Sequence, residues 1–566
     1  MQIRSTIIVL VVLFCWVLTG VLVAEPEKAS LTANQISDHS MTEGNTGNGY
    51  SGPGSLRTSG GKTHAVWIEE TGSSEGSDLF YRNLSTNSST INLSDPDQSE
   101  GTAHNHYKHG VADDGLAHVL WFEESSINEN NLFYWHSTLG TIQLTSRAQA
   151  SGELSVSDAQ MMIDSSGKAH IVWRDFSQSA GNSFLYYWHD STTTQLVTDS
   201  ESGRLELGIY QEIAHVLWQK GETLYHWNSD TAVTDTLPTP VSADIQSAHL
   251  SVDNNGKAHV IWDEDASDSC FYYWDSVTKR SKSILSGVNC GFMQVKVDVS
   301  GLPYTSNYSY NAPNYLTYFW NPTMTAATEL ASESANDTLL VSDGGKAHLY
   351  YKTTNKVWYW NSDMAAFQDL SALAGTSSAG IEVLETEFNS QGNLHLVWWQ
   401  DGLFYWDSGT AVVTNLSSDF FDTTNPDPTD MISEKGVIHF VAANNGEIKH
   451  WNSQTKQTQL ISDLQGYLDG LQIVIDRLGQ VHIGWDQSLP SSGHDMFYWN
   501  EVDGRVELNE TAVDETSSYG VHMTLDTNNL HLLWNEDADI TSEGRDVFVA
   551  TIKQEFEQIF LPMLIR

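Results

Sequence analysis

Cysteine is scarce in this chain, three in 566 residues. Cys15 lies inside the N-terminal apolar run, which leaves Cys270 and Cys290. Two such residues in a chain this long exclude a disulfide scaffold, although one bridge is compatible with an exported protein. Cations are also few: Lys+Arg total 27 against 72 Asp+Glu, for a formal charge of −45. That surface repels nucleic acid phosphates and anionic lipid, and suits solubility, a bound cation or a cationic partner. No nucleic acid is expected as a partner. Membrane contact is expected only through the N-terminal segment, if it stays uncleaved. No segment shows the 3.6-residue period of a helical array.

What the chain does have is apolar and aromatic content, 40% and 11%. This is enough for a packed core and argues against disorder except at the ends. Arg4 precedes a continuous apolar run to residue 24. It reads as a secretory signal cleaved after Ala24, with an uncleaved anchor as the alternative, and either implies export to the cell surface or beyond. Residues 25–54 read as mostly linker, apart from the strand-like ASLTANQIS at 29–37.

From there the sequence repeats. A His three residues before a strand Trp marks the register: His64, His118, His170, His215, His259, His348, His395, His439, His482 and His531, with Tyr304 in the slot of one further unit. Successive marks lie 43 to 54 residues apart, which makes eleven units. The third unit shows four short β-branched and aromatic runs, AQMMID, AHIVWRD, FLYYWHD and TTQLVTD, designated strands A to D. Gly stands three residues before the mark in nine units, as in Gly167 and Gly256, where a hairpin turn calls for a left-handed residue. Asn528 and Asn529 are expected to fill that role in the last unit. Asp164, Asp253, Asp298 and Asp476 precede their Gly by three and are placed to accept the turn's N–H groups. Four strands in about 45 residues is the signature of a propeller blade, so the fold class is all-β, a β-propeller of about eleven four-stranded blades.

The stretches IDSSGKAHIVW and VDNNGKAHVIW resemble the repeats of extracellular sialidase-like propellers, the BNR or Asp-box group, at repeat level across residues 56–550. The usual box in that group, S-x-D-x-G-x-x-W, has a shorter spacing. Its sialidases also carry an Arg-Ile-Pro-type motif and an arginine triad. Neither Arg-Ile-Pro nor Arg-Val-Pro occurs here, and only eleven arginines are present. The resemblance therefore implies the fold and not the catalysis.

Propellers usually have four to eight blades. Two rings are expected on that ground, residues 55–332 holding blades 1–6 and residues 333–553 holding blades 7–11, with a tail at 554–566. The alternative is one oversized ring, closed by ASLTANQIS pairing with the last blade.

An active site needs a residue once, so ten equivalent histidines are read as structural. The positions that break the repeat are the informative ones. Long B–C loops are expected at residues 68–78, 122–131, 174–183, 486–495 and 535–546, with function on the face they share. Their ligand-binding candidates are Glu69, Glu70, Glu123, Glu124, Asp486 and Asp495. Glu69/Glu70 and Glu123/Glu124 are also the paired carboxylates a glycosidase would need. Trp399, outside the shared pattern, is a candidate for stacking on a sugar. Calcium is the natural cation for the oxygen-rich sets Asp537, Asp539, Glu543, Asp546 and Asp263, Asp265, Asp268. Cys270 and Cys290 are candidates for a bridge between adjacent blades. The leading expectation is a non-catalytic binding or adhesion module for a glycan or protein ligand. A glycan-active hydrolase and a structural surface scaffold are the alternatives.

Overall fold

A computed structural model describes residues 55–553, apart from short connecting segments and some side chains at strand ends, together with the strand Ala33–Gln35. The N-terminal apolar run and residues 554–566 lie outside the described residues. Every blade is a four-stranded antiparallel sheet. In blade 3 the strands are Leu154–Ile163, Ala169–Ser177, Asn182–His189 and Thr192–Val197. Strand A is innermost, since the A strands of neighbouring blades contact one another. Strand D is the short, exposed outer edge, as in Thr192–Val197.

The apolar and aromatic residues of strands B and C face the adjacent blades and form eleven buried clusters, one at each junction. Two of them decide the ring count. Tyr304, Phe319 and Leu330 of blade 6 pack with Leu339, Leu349 and Trp360 of blade 7. Ala65, Trp67 and Phe80 of blade 1 pack with Leu533, Val547 and Val549 of blade 11. The second junction is also tied by Thr58 Oγ1 to Thr524 Oγ1 at 3.0 Å, and by Ser85 Oγ donating to Asp526 Oδ2 at 2.6 Å. The blades therefore close a single ring of eleven, and the two-ring expectation is corrected. The irregular sixth unit packs on its neighbours like the others.

Ala33–Gln35 supplies the closing strand. It pairs antiparallel with the strand Ser542–Lys553, Ala33 opposite Ala550 and Gln35 opposite Phe548. It takes the D position of blade 11 and covers an edge that would otherwise present unpaired N–H and C=O groups.

The A–B turns follow the expected chemistry with one exception. All nine turn glycines sit at φ between 73° and 83°, where a Cβ is strained. In the last unit neither Asn528 nor Asn529 is left-handed. There Asp526 N–H bonds Asn529 O, whereas Asp164 N–H bonds Lys168 O, so the turn is one residue shorter and needs no such residue.

Deleting residues 29–37 should leave the Ser542–Lys553 edge bare. The expected outcome is a lower melting temperature and concentration-dependent aggregation by light scattering. An unchanged melt and a monodisperse monomer would contradict closure by this strand.

Candidate functional site

The ten register histidines are buried. In blade 3, Asp164 Oδ1 accepts from Ser166 N at 2.8 Å and Lys168 N at 3.0 Å, while Oδ2 meets His170 Nε2 at 3.0 Å. His170 Nδ1 lies 2.6 Å from Tyr187 Oη on strand C. Burial outweighs the neighbouring carboxylate and holds His170 down at about 4, so the imidazole is neutral. The pattern of partners assigns Nε2–H to Asp164 and leaves Nδ1 to accept the Tyr187 hydroxyl. The same histidine–tyrosine bond recurs at His64, His118, His259, His348, His395 and His482, at 2.6 to 2.8 Å. In blades 4 and 9 a second imidazole replaces the tyrosine, His215 to His226 at 2.9 Å and His439 to His450 at 3.0 Å. His531 bonds Thr551 Oγ1 at 3.0 Å.

Asp164, His170 and His189 also bring potential metal-ligating atoms within 4.8 Å of one another. However, both His170 nitrogens are engaged, and His189 stacks on it at 4.0 Å with 16° between the planes. Near-parallel stacked rings do not direct their in-plane lone pairs at one ion, so the geometry suits packing.

The residues that break the repeat are placed differently from the loops expected of them. The B and C strands run on into the long segments, as in Ala117–Ser126 with Glu129–His136 and Asn529–Asp539 with Ser542–Lys553. In four of the five expected loops most residues therefore belong to an extended hairpin, because backbone pairing continues past the sheet, and in 68–78 the described residues do too. Glu123 is buried, and its Oε1 accepts from Trp121 Nε1 at 2.7 Å. Glu264 does the same for Trp262 at 2.8 Å, and Gln487 for Trp485 at 3.1 Å. Glu123 thus caps its strand tryptophan. Glu69 has the same place after Trp67; the side chains of Glu69, Glu70 and Glu124 lie outside the described ones.

Asp486 is fully buried and accepts from Gly470 N at 2.7 Å and Gly520 N at 2.8 Å, serving a bulge in its own strand A and the next blade. Asp263 Oδ1 likewise takes the N–H and hydroxyl of Ser247 beside a bulge. Asp265 and Asp268 lie outside the described residues, as do the side chains of Asp537, Asp539, Glu543, Asp546, Cys270 and Cys290. Asp495 is buried opposite Gln487. Trp399 is half-buried against the core between blades 8 and 9.

Sequence reasoning missed the inner strands. Strand A is an edge, and its outward N–H groups need acceptors. In five blades a side chain reaches such an N–H across the junction. Gln160 Oε1 accepts from Leu207 N at 2.9 Å, Gln294 from Leu339 N at 3.0 Å, Asp430 from Ile473 N at 2.8 Å and Gln472 from Met523 N at 2.6 Å. Glu206 serves Leu250 N in the same way. The equivalent Glu385 accepts from Thr429 Oγ1 at 2.8 Å. The signal in the sequence was a lone Gln, Glu or Asp in this column of otherwise mixed strands.

The same column reads Ser55 in blade 1 and Lys108 in blade 2, from the pairings Ser55–Val66 and Lys108–Leu120. Here the inner wall opens into a cavity of about 510 Å³ reaching from Ser55 and Arg57 to Met161 and Ile163.

Neither a protein-family model nor a curated protein matches the chain. Among solved structures it is similar to the Dos1 propeller (12% identity, 57% of this chain and 86% of that one, TM-score 0.33) and to a eukaryotic initiation factor (10%, 79% and 97%, 0.41). It is also similar to dipeptidyl peptidase 4 of Porphyromonas gingivalis (9%, 82% and 69%, 0.36). Likeness at this level carries no argument about activity, and the fold rests on the strand pairings themselves.

Two outcomes follow from this geometry. Tyr187→Phe removes the hydroxyl that His170 Nδ1 accepts from, and should cost about 1–3 kcal/mol in urea unfolding. No loss of stability would show that the bond is idle. Burial, with Asp430 and Glu387 nearby, pushes the Glu385 carboxyl up to about 7. A folded value above the unfolded one means a contribution that is intact below about pH 4.5 and lost as pH rises through 7. Glu385→Gln should therefore stabilise the protein by about 1 kcal/mol at pH 7.5, allowing for solvent screening, and have no effect at pH 4. Melting curves at the two pH values check the sign.

Proposed function

We propose that this chain is an exported, non-catalytic binding module of the cell surface, presenting its B–C hairpin face to a glycan or protein ligand. The observation that carries the reading is the order of blades in the closed ring. Blades 10, 11, 1, 2 and 3 are consecutive and all carry extended hairpins, for example Val481–Leu489 with Gly493–Asn500, while blade 6 carries a separate one, Pro303–Asn311 with Asn314–Trp320. Blade 8 has only Leu394–Trp399 with Leu403–Asp407. A rigid ring with one tall, acidic, non-repeating wall is a scaffold that offers a surface. The repeated His, Trp and Asp residues are spent on the blades, and Glu123, the described member of the proposed acid pairs, caps a tryptophan.

A glycan array probed with the chain from residue 25 onward, with and without calcium, tests the reading. The expected result is retention of a defined glycan class without sugar release. Replacing residues 537–544 by a two-residue turn should weaken retention at least about tenfold while leaving the melting temperature within a few degrees. Release of sugar would favour a hydrolase. No retention under either condition would remove the glycan reading, and retention untouched by trimming would move the site off the hairpins.

A further inference from the structure

The break in the inner column marks a second site. Five blades place an acceptor side chain against the N–H of the next inner strand, through Gln160, Glu206, Gln294, Asp430 and Gln472. Blade 2 places Lys108 there. The register sets Met161 opposite Ile171, the position that Leu207 holds opposite Val216. The Met161 N–H therefore faces a side chain with three donors and no acceptor.

The same wall carries Arg57, exposed, one turn of the pleat from Ser55. Among the described residues neither Arg57 nor Lys108 forms an ion pair. Asp158, a carboxylate that Lys108 acts on electrostatically, lies 3.7 Å from Arg174. His109 lines the cavity from the facing blade. Its Nδ1 is 3.3 Å from Ser55 Oγ, and its Nε2 is buried with no hydrogen-bond partner among the described residues. Burial holds this imidazole neutral, so it carries a single N–H, on Nδ1 towards Ser55 or on Nε2 according to the tautomer. The Tyr107 hydroxyl is spent on Val66 O at 3.2 Å. In a chain of charge −45, two unpaired cations and an orphan imidazole gathered on one cavity are a local reversal of sign.

We infer that this cavity, on the inner strands of blades 1 to 3, binds the oxyanion group of a small ligand, a carboxylate, sulfate or phosphate. The Arg57 guanidinium has the fork that matches two oxygens of such a group, and Lys108 adds a point charge. Met161 and Ile163 give the cavity an apolar side for a short carbon skeleton. Its volume, about 510 Å³, is that of a small-molecule site. The inference is independent of the hairpin face, since it concerns the inner wall of the ring.

The test must separate binding from general salt effects. Any salt screens the self-repulsion of so acidic a chain, and phosphate and sulfate also strengthen apolar burial. Sodium phosphate, sulfate and glucuronate are therefore titrated separately into the chain from residue 25 onward, which contains every described strand. Sodium chloride at equal ionic strength is the reference, and melting temperature and calorimetric heat are followed. At least one probe should raise the melting temperature beyond the chloride reference, and saturably. Arg57→Gln with Lys108→Gln should keep the chloride response and weaken the specific one at least about tenfold. Arg57→Lys should keep part of it, which distinguishes lost charge from lost fold. A response to glucuronate alone assigns a carboxylate ligand, and a response to phosphate or sulfate alone assigns a tetrahedral one. Identical responses from wild type and the double variant, or no increment over chloride with any probe, would overturn the site.

Discussion

The contact on which most of the ring depends is an aromatic one between strands C of adjacent blades, present at eight of the eleven junctions among the described residues. The strand C tyrosine of one blade packs against the strand C tryptophan of the next, as in Tyr81 with Trp135 and Tyr359 with Trp406, with ring centroids 4.4 and 4.3 Å apart. Large apolar rings supply most of the burial at such a junction, and edge-tilted geometry adds to it. The tyrosine is held by the register histidine, and in several blades the histidine is held by the turn aspartate. Turn, strand and junction are thus linked through one chain of hydrogen bonds and ring contacts. The sixth blade shows the dependence by exception. Tyr304 replaces the histidine there and bonds Asp298, and the strand C partner becomes Phe319, which has no hydroxyl to place. Phe319 still meets Trp360 at 5.0 Å, so the junction survives while the polar link is dropped.

Closing a ring this large leaves eleven inner edges around its axis. The acceptor column of Gln160, Glu206, Gln294, Asp430 and Gln472 answers that problem with side chains instead of a further strand. Half-buried carboxylates in such a column have a cost, visible where Glu385 and Asp430 of the column and the neighbouring Glu387 are all pushed above the ordinary carboxylate range by burial, which disfavours their charge. On the part of the wall formed by blades 1 and 2, the column turns to Ser55 and Lys108 beside Arg57. The ring is thus electrically uneven on its inside while strongly acidic overall.

Much of the blade was legible because it repeats. His, Trp, Gly and turn Asp recur at fixed places, and each has one physical reason to be there. The acids that break the pattern were read as loop residues because they are charged. Glu123, Asp486 and Asp263 are instead strand residues whose carboxylates satisfy buried N–H groups, a role that charge alone does not reveal. The inner column escaped notice for the opposite reason: its members vary between Gln, Glu, Asp, Lys, His, Ser and Thr, and only strand register aligns them.

By itself the sequence determined the unit: four strands, the A–B turn with its left-handed glycine, the buried tryptophans and the number of blades. These are local matters of period, turn chemistry and burial. The number of rings was decided only by tertiary structure. A blade of given sequence fits rings of several sizes, because the angle between blades comes from how side chains of neighbouring units fill a shared junction. The packing of blade 6 on blade 7, and the return of Ala33–Gln35 to the last blade, settle that angle over the whole chain. The same closure brings blades 10, 11, 1, 2 and 3 side by side and sets Arg57, Lys108 and His109 around one cavity.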